Sequence, residues 1–337
     1  MPASIKLIQE ADLHQAYRDK ILPFWQQGKF GDFSGVDNIR INYAVFEQNK
    51  NPAQVQEKKL ILVPGRSEGY LKYQELSYDL FQAGYSVYII DHRGQGISQR
   101  LLPQPHKGYV KSFDHYSQDL HQFIDTIVKA DRRSKNYLLA HSMGAAISAR
   151  YLQQYDNPVT AAVFSSPMIA INSGIIPDWL AAVLIKAGNA LNLRLGNSPW
   201  YFLGQGDARQ KAFQGNPLMH SQVRYQKFTE LYQNTEEIQL GGVTFHWLAE
   251  AIKTRKAIFS QLHKLKTPVT VLQAGADIIV DNRAQDEFCS RLHRLFPASC
   301  PGGEAIKIHQ ARHELFFEKD EFRNRALSQA INWFESH

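Results

Sequence analysis

The sequence predicts an α/β fold in which a mostly parallel, doubly wound sheet carries helices on both faces. Three observations predict it. Short apolar runs recur along the chain, stretches of helical length separate them, and Pro or Gly closes several of the runs. A strand that is apolar throughout is buried on both faces, as in a parallel sheet, whereas a sheet wetted on one face alternates. Right-handed crossovers through the intervening helices then wind such a sheet to both sides.

The first 30 or so residues read as helical and peripheral. IRINYAVFEQ (39–48) alternates like a half-buried strand. KKLILVPG (58–65) is the first continuous apolar run, and YLKYQELSYDLFQAG (70–84) follows it as a helix. YSVYIIDH (85–92) and DHYSQDLHQFIDTIVKA (114–130) make the next strand and helix. KNYLLAHS (135–142), MGAAISARYLQQY (143–155) and TAAVFSSP (160–167) continue the alternation. TPVTVLQAGAD (267–277), RAQDEFCSRLHRLF (283–296), AIKIHQARH (305–313) and DEFRNRALSQAINWFE (320–335) complete it. Residues 169–265 break the pattern: they are helical and loop-like and rich in aromatics, Trp179 to Trp247. The expected organisation is a core of residues 1–168 and 266–337 with a helical lid, 169–265, inserted above the strand ends.

In doubly wound sheets ligands bind beyond the carboxyl ends of the strands, and the reactive residues of this chain fall there. YLLAHSMGAAIS (137–148) places Ser142 between a strand and a helix. A sharp turn at that point needs small residues two before and two after the serine, and Ala140 and Gly144 supply them. Such a turn lifts Oγ out of the sheet and puts the next amide, that of Met143, at a helix N-terminus. A serine hydroxyl is a poor nucleophile without a base. The expected order for this topology is serine, acid, histidine. Asp277 closes TVLQAGAD as the expected acid, and Asp281 is its rival. His313 lies past the last strand as the expected base, whereas His309 sits within the strand pattern as a core or pairing residue. His141, beside the serine, reads as structural. A second oxyanion-stabilising amide is expected in the loop after LILVPG, at Arg66. DHRGQGIS (91–98) lacks the spacing of a phosphate loop and reads as a tight turn beside the site.

Composition narrows the function classes. The net charge is +6 and the pI about 9.1. Lys and Arg are scattered, with no basic stripe interleaved by aromatics, so nucleic acid is not an expected partner. Attraction to an anionic membrane surface stays open. No segment offers about 18 continuous apolar residues, and the polar opening MPASIKLIQEADLHQAYRDK carries no apolar signal core. A cytoplasmic location, with peripheral contact at an anionic membrane, is the expectation. Cys289 and Cys300 have no metal-type spacing and read as ordinary thiols in a reducing compartment. No metal or organic cofactor is expected.

With these residues in hand, the chain resembles the α/β-hydrolases, within them the monoacylglycerol lipase and lysophospholipase group, and most closely the bacterial PldB-type lysophospholipases. The resemblance runs from about residue 32 to the end. FSGVDNI, PGRSEGYLKYQELSYDLF, IIDHRGQGIS, LAHSMGAAIS, SSPM, GGVTFHW, IVDNRAQDEFC and RHELFFEKD carry it. Pro64-Gly65 stands where many relatives have His-Gly. The resemblance implies Ser142 as nucleophile, His313 as base, Asp277 as acid, and Arg66 and Met143 as oxyanion donors. It implies a lysophospholipid substrate cleaved through an acyl-enzyme. The alternatives are a monoacylglycerol lipase or general esterase and, as lesser rivals, a capped peptidase and a non-catalytic lipid-binding relic. An acyl chain needs an apolar channel, because each buried CH₂ is worth about 0.8 kcal/mol. The aromatic insertion would supply it. Arg224 and Trp247 are the candidate substrate-binding residues, with Lys227 a further cation of the same HSQVRYQK stretch.

Overall fold

A computed structural model describes residues 6–49, 56–131, 133–174, 176–209 and 212–337. Eight strands form one sheet: β1 (Lys29–Ser34), β2 (Arg40–Phe46), β3 (Lys58–Val63), β4 (Ser86–Ile90), β5 (Lys135–His141), β6 (Ala161–Ser165), β7 (Val269–Ala274) and β8 (Ile306–Ile308). Their spatial order is β1-β2-β4-β3-β5-β6-β7-β8. β1 and β2 pair antiparallel, as do β2 and β4, and every later pair is parallel.

The continuous apolar runs become strands buried on both sides. Along β3, Ile61 and Val63 join one apolar cluster while Leu60 and Leu62 join the other. β5 divides in the same way, Leu138 and Ala140 against Tyr137 and Leu139. Each fully buried aliphatic side chain contributes about 1.5–3 kcal/mol, so register is strongly fixed across the centre of the sheet. The helices are α1 (Gln74–Gln82), α2 (Asp114–Phe123), α3 (Met143–Gln154), α4 (Asp178–Leu195), α5 (Gln222–Asn234), α6 (Phe245–Ser260), α7 (Asn282–Leu295) and α8 (Asp320–Glu335).

Register also aligns the strand ends. Val63 pairs with Ala140, His141 with Ser165, Ser165 with Leu272, and Ala274 with Ile308. The loops that follow β3, β5, β7 and β8 therefore leave the sheet along one edge.

The N-terminal stretch departs from its expectation. It is helical over Leu13–Ala16 and Leu22–Trp25, but Leu13, Ile21, Phe24 and Trp25 are buried rather than peripheral. Phe24 stacks on Phe46 with ring centroids 4.6 Å apart. β1 also follows where no strand was expected. It is an edge strand with half-exposed residues and Gly31 in its middle, so it carries little alternation to read.

α4, α5 and α6 lie between β6 and β7. α6 buries Trp247, Leu248, Ala251 and Ile258 in the same cluster as the core strands. α4 is different: Trp179, Val183, Leu184, Leu191, Leu193 and Leu195 are all exposed.

Candidate active site

Ser142 is the single residue between β5 and α3, with φ 50° and ψ −115°. A side-chain-bearing residue held there costs on the order of 1–3 kcal/mol, and the surroundings enforce it. The Ser142 N–H donates to the Ser165 carbonyl at 3.0 Å, and the Ser142 carbonyl accepts from the Met168 N–H at 3.0 Å. Gly144 is required by close approach, since a Cβ there would collide with the Val63 and Pro64 carbonyl oxygens.

His313 lies on the loop after β8, with Nε2 3.0 Å from Ser142 Oγ. Its Nδ1 is 2.7 Å from Asp277 Oδ2. An ionised carboxylate only accepts, so Nδ1 carries the hydrogen and Nε2 is left to accept from the serine hydroxyl. Asp277 follows β7 with a fully buried side chain. Its other oxygen accepts from the Ile279 N–H at 2.8 Å and the Val280 N–H at 3.2 Å, which fixes the carboxylate. Burial opposes charge on His313, but the Asp277 carboxylate outweighs it, with Glu314 and Glu68 adding. Its pKa therefore lies above the ordinary histidine value.

Asp281 is placed elsewhere. It caps the N-terminus of α7, accepting from the Arg283 N–H at 2.9 Å and pairing with the Arg283 guanidinium. His309 falls just past the end of β8 and is exposed, not a core or pairing residue.

The loop after β3 runs against the serine. A Cβ on Gly65 would lie 3.2 Å from Ser142 Cβ. Among the described residues no protein acceptor is found for the amide of Arg66 or of Met143. DHRGQGIS is a turn that braces this loop. Its Gln95 amide donates to the Gly65 and Glu68 carbonyls at 2.7 and 2.9 Å, and His92 Nε2 lies 3.0 Å from the Pro64 carbonyl. From the insertion, Arg66 Nη2 donates to the Gly241 carbonyl, and the Tyr232 hydroxyl donates to the Ser67 carbonyl.

Arg224 corrects an expectation. It is buried and committed: Nε and Nη2 donate to Glu75, Nη2 also to Asp320 at 2.9 Å, and Nη1 to the Glu318 carbonyl at 2.7 Å. A guanidinium so paired has no fork left for a phosphate. Lys227 pairs with Glu230 at 2.9 Å. Trp247 is buried, with the Arg66 guanidinium over its ring at 5.6 Å.

A cluster that the sequence did not signal lies behind His313. The Lys72 ammonium bridges Glu68 and Glu314, the latter at 2.6 Å. Glu68 also accepts from the Tyr73 hydroxyl at 2.7 Å and from the Gly65 N–H. His141 Nε2 lies 3.7 Å from Glu314 and 3.9 Å from Glu68, and its ring centroid is 4.9 Å from that of His313. Burial drives the His141 pKa down to about 3, so its ring stays neutral. Burial pushes Glu314 up to about 7. Burial would raise Glu68 as well, but the Lys72 charge outweighs it and holds Glu68 at about 2. Glu68, His141 and Glu314 are near enough to share a metal ion, yet Lys72 already supplies the cation they would neutralise. Only the adjacency of Glu314 to His313 and the four-residue step from Glu68 to Lys72 hinted at this cluster, and such a step is usually a surface pair.

A serine on a strained turn, a histidine in contact with it and a buried carboxylate behind the histidine together suit acyl transfer. Comparison with known proteins agrees. The serine aminopeptidase S33 family model matches residues 54–320. Lysophospholipase L2 of Escherichia coli (strain K12) is 37% identical over 314 residues, covering 93% of this chain and 89% of that protein. Monoglyceride lipase of Mus musculus is 25% identical over 280 residues, covering 82% of each. Among solved structures, a soluble variant of monoglyceride lipase from Saccharomyces cerevisiae superposes with a TM-score of 0.67 at 18% identity, covering 92% of this chain and 94% of that one. The sheet, the placement of the serine and these matches lead to one conclusion: the chain is a hydrolase of the serine aminopeptidase S33 family, with the α/β-hydrolase fold.

Proposed function

We propose that this protein is a lysophospholipase, a serine carboxylic-ester hydrolase that releases a fatty acid from a lysophospholipid. One observation carries the reading: Ser142 Oγ, His313 and Asp277 form a single hydrogen-bonded line at the strand ends. The similarity to lysophospholipase L2 supports the substrate.

In this mechanism His313 Nε2 removes the Ser142 proton as Oγ attacks the ester carbonyl. The tetrahedral oxyanion accepts from the Arg66 and Met143 amides, each donor worth about 3 kcal/mol of barrier. His313 then protonates the leaving glycerol oxygen, and the C–O bond breaks to leave Ser142 acylated. Water, deprotonated by the same nitrogen, attacks the acyl-enzyme, and Oγ leaves with that proton. Asp277 holds the imidazole tautomer and stabilises its transient charge throughout.

Residues 169–265 act as the lid, rooted by α6 in the core and presenting α4 outward. Its exposed apolar side chains, Leu193 at 72% and Trp179 at 69% exposure, suit contact with acyl chains at a lipid surface. The net charge of +6 adds attraction to anionic headgroups. Among the described residues no helix is long and apolar enough to cross a membrane, and the proposed contact is peripheral. We place it at the inner face of the bacterial inner membrane. The likeness to monoglyceride lipases keeps monoacylglycerol as the second substrate.

The test is fatty-acid release from lysophosphatidylcholine, lysophosphatidylethanolamine and monoacylglycerol by wild type and Ser142→Ala. Release from the lysolipids that drops about 10⁴-fold or more in the variant is the expected result. Release that survives in Ser142→Ala removes the nucleophile. Release from monoacylglycerol alone moves the substrate and keeps the relay.

A further inference from the structure

Arg66 is an unusual cation in this molecule. The fully buried arginines each pair with a carboxylate: Arg93 with Asp119, Arg150 with Asp114, Arg224 with Glu75 and Arg323 with Asp79. Arg66 has none. Its Nη1 donates to Ser67 Oγ at 3.0 Å, its Nη2 donates to the Gly241 carbonyl, and its Nε is buried without an acceptor. A guanidinium has five N–H donors, so three have no acceptor among the described residues, and of these Nε is the buried one. The ionisable groups acting on it are the phenols of Tyr116, Tyr201 and Tyr232, and burial pulls its pKa down to about 10. A partly desolvated cation without a counter-charge is costly to hold. Arg66 follows Gly65, which lies against the candidate nucleophile, while its guanidinium packs beside Gly108 and over the Trp247 ring.

We propose that the Arg66 side chain is the headgroup reader of the site: its Nε–H and free Nη N–H groups take the phosphodiester oxygens of a lysophospholipid while its main-chain N–H faces the ester oxyanion. The proposal rests on the lysophospholipase reading and deepens it. It puts headgroup recognition on the oxyanion loop instead of at Arg224. Two oxygens of one phosphate match the fork that Nε and an Nη present. The Trp247 ring beneath and the Gly241 carbonyl beside it keep the guanidinium in place before substrate arrives.

The experiment compares kcat and KM for lysophosphatidylethanolamine and for monoacylglycerol of the same acyl chain, in wild type, Arg66→Gln and Arg66→Lys. Both variants keep the main-chain N–H. The readout is the ratio of the two kcat/KM values, which cancels any general damage to the oxyanion loop. Arg66→Gln is expected to lower the ratio against the lysophospholipid by about 10- to 100-fold, mostly through KM. Arg66→Lys keeps the charge but not the fork and should recover part of it. An unchanged ratio in both variants overturns the proposal. If Arg66→Gln does not fold, the ratio in Arg66→Lys decides alone. Inorganic phosphate is added as a competitor in wild type. Inhibition that is equal on both substrates, with the variant ratios unchanged, would mean that Arg66 takes free anions and not the headgroup. Wild-type turnover of monoacylglycerol with none of lysophospholipid would sink the lysophospholipase reading itself, a result distinct from an unchanged ratio.

Discussion

The carboxyl edge of the sheet and the outer face of α4 are opposites. At the edge, charged side chains are almost completely enclosed: Lys72 and Glu68 each show 3% of their side-chain surface, and the Asp277 carboxylate none. On α4, large apolar side chains stand in the open, Leu193 at 72% and Leu195 at 69%. Each arrangement is expensive alone, and each is resolved differently. The edge is resolved within the chain, by ion pairs and hydrogen bonds that link the loops after β3 and β8. The α4 face has no such partners among the described residues. Chemistry that depends on fixed distances is therefore built where the charged groups are paired internally. The proposed contact with a fluid lipid surface falls where the large apolar side chains stand open.

The sharpest way to break the edge is at the histidine's partner. Asp277→Asn should lower kcat/KM by about 10⁴-fold, because the amide can hold the imidazole in the wrong tautomer. Asp281→Asn, which touches only the cap of α7, should leave kcat/KM within about threefold of wild type and shift stability by about 1 kcal/mol or less. Parallel kinetics and urea melts check both, and equal losses in kcat/KM would erase the distinction between the two carboxylates.

Lys72→Met comes next. Removing the ammonium leaves two buried carboxyl groups facing one another, with an expected loss of about 3–5 kcal/mol in urea unfolding at pH 8. Protonating Glu314 relieves that repulsion, so the loss should shrink as the pH is lowered. A loss that does not depend on pH would count against charge as its cause.

The pH profile is subtler. The base works only as neutral imidazole, so kcat/KM falls as pH falls through the His313 pKa. That midpoint should lie above the usual histidine value of about 6.5. Below it, activity drops about tenfold per pH unit. In Asp277→Asn the midpoint should move down, since burial then acts without the opposing carboxylate. An upward or absent shift would contradict the electrostatics derived for the pair.

The smallest effect on chemistry and the clearest on location should come from α4. Replacing Trp179, Leu193 and Leu195 with serine should leave hydrolysis of a short soluble ester and thermal stability nearly unchanged, because exposed positions shift stability by about 0.5 kcal/mol or less. Sedimentation with anionic vesicles should fall several-fold. Undiminished vesicle binding would mean that another face meets the lipid.

Much of the sheet edge was legible because strand ends are legible. Ser142, Asp277 and His313 each stand one to five residues past a strand, and the parallel order brings those ends together. Arg224 was misread for the opposite reason. Its partners Glu75 and Asp320 lie 149 and 96 residues away, and nothing local distinguishes a committed arginine from a free one. β1 escaped notice because an edge strand is not obliged to alternate. The Lys72 cluster escaped because burial, which turns a commonplace pair into a structural one, is set by distant packing and not by the pair's own sequence.

The contacts of Tyr232 and Arg66 across the loop after β3 bear on how such an enzyme could be rebuilt. The insertion holds the Ser67 carbonyl through Tyr232 and Arg66 Nη2 through Gly241, so the two parts are not separable modules. A chimaera that exchanged residues 169–265 for those of a relative would inherit that relative's grip on residues 66–68, or lack one. Transplanting a substrate preference into this scaffold therefore means moving the loop and the insertion as a single cassette.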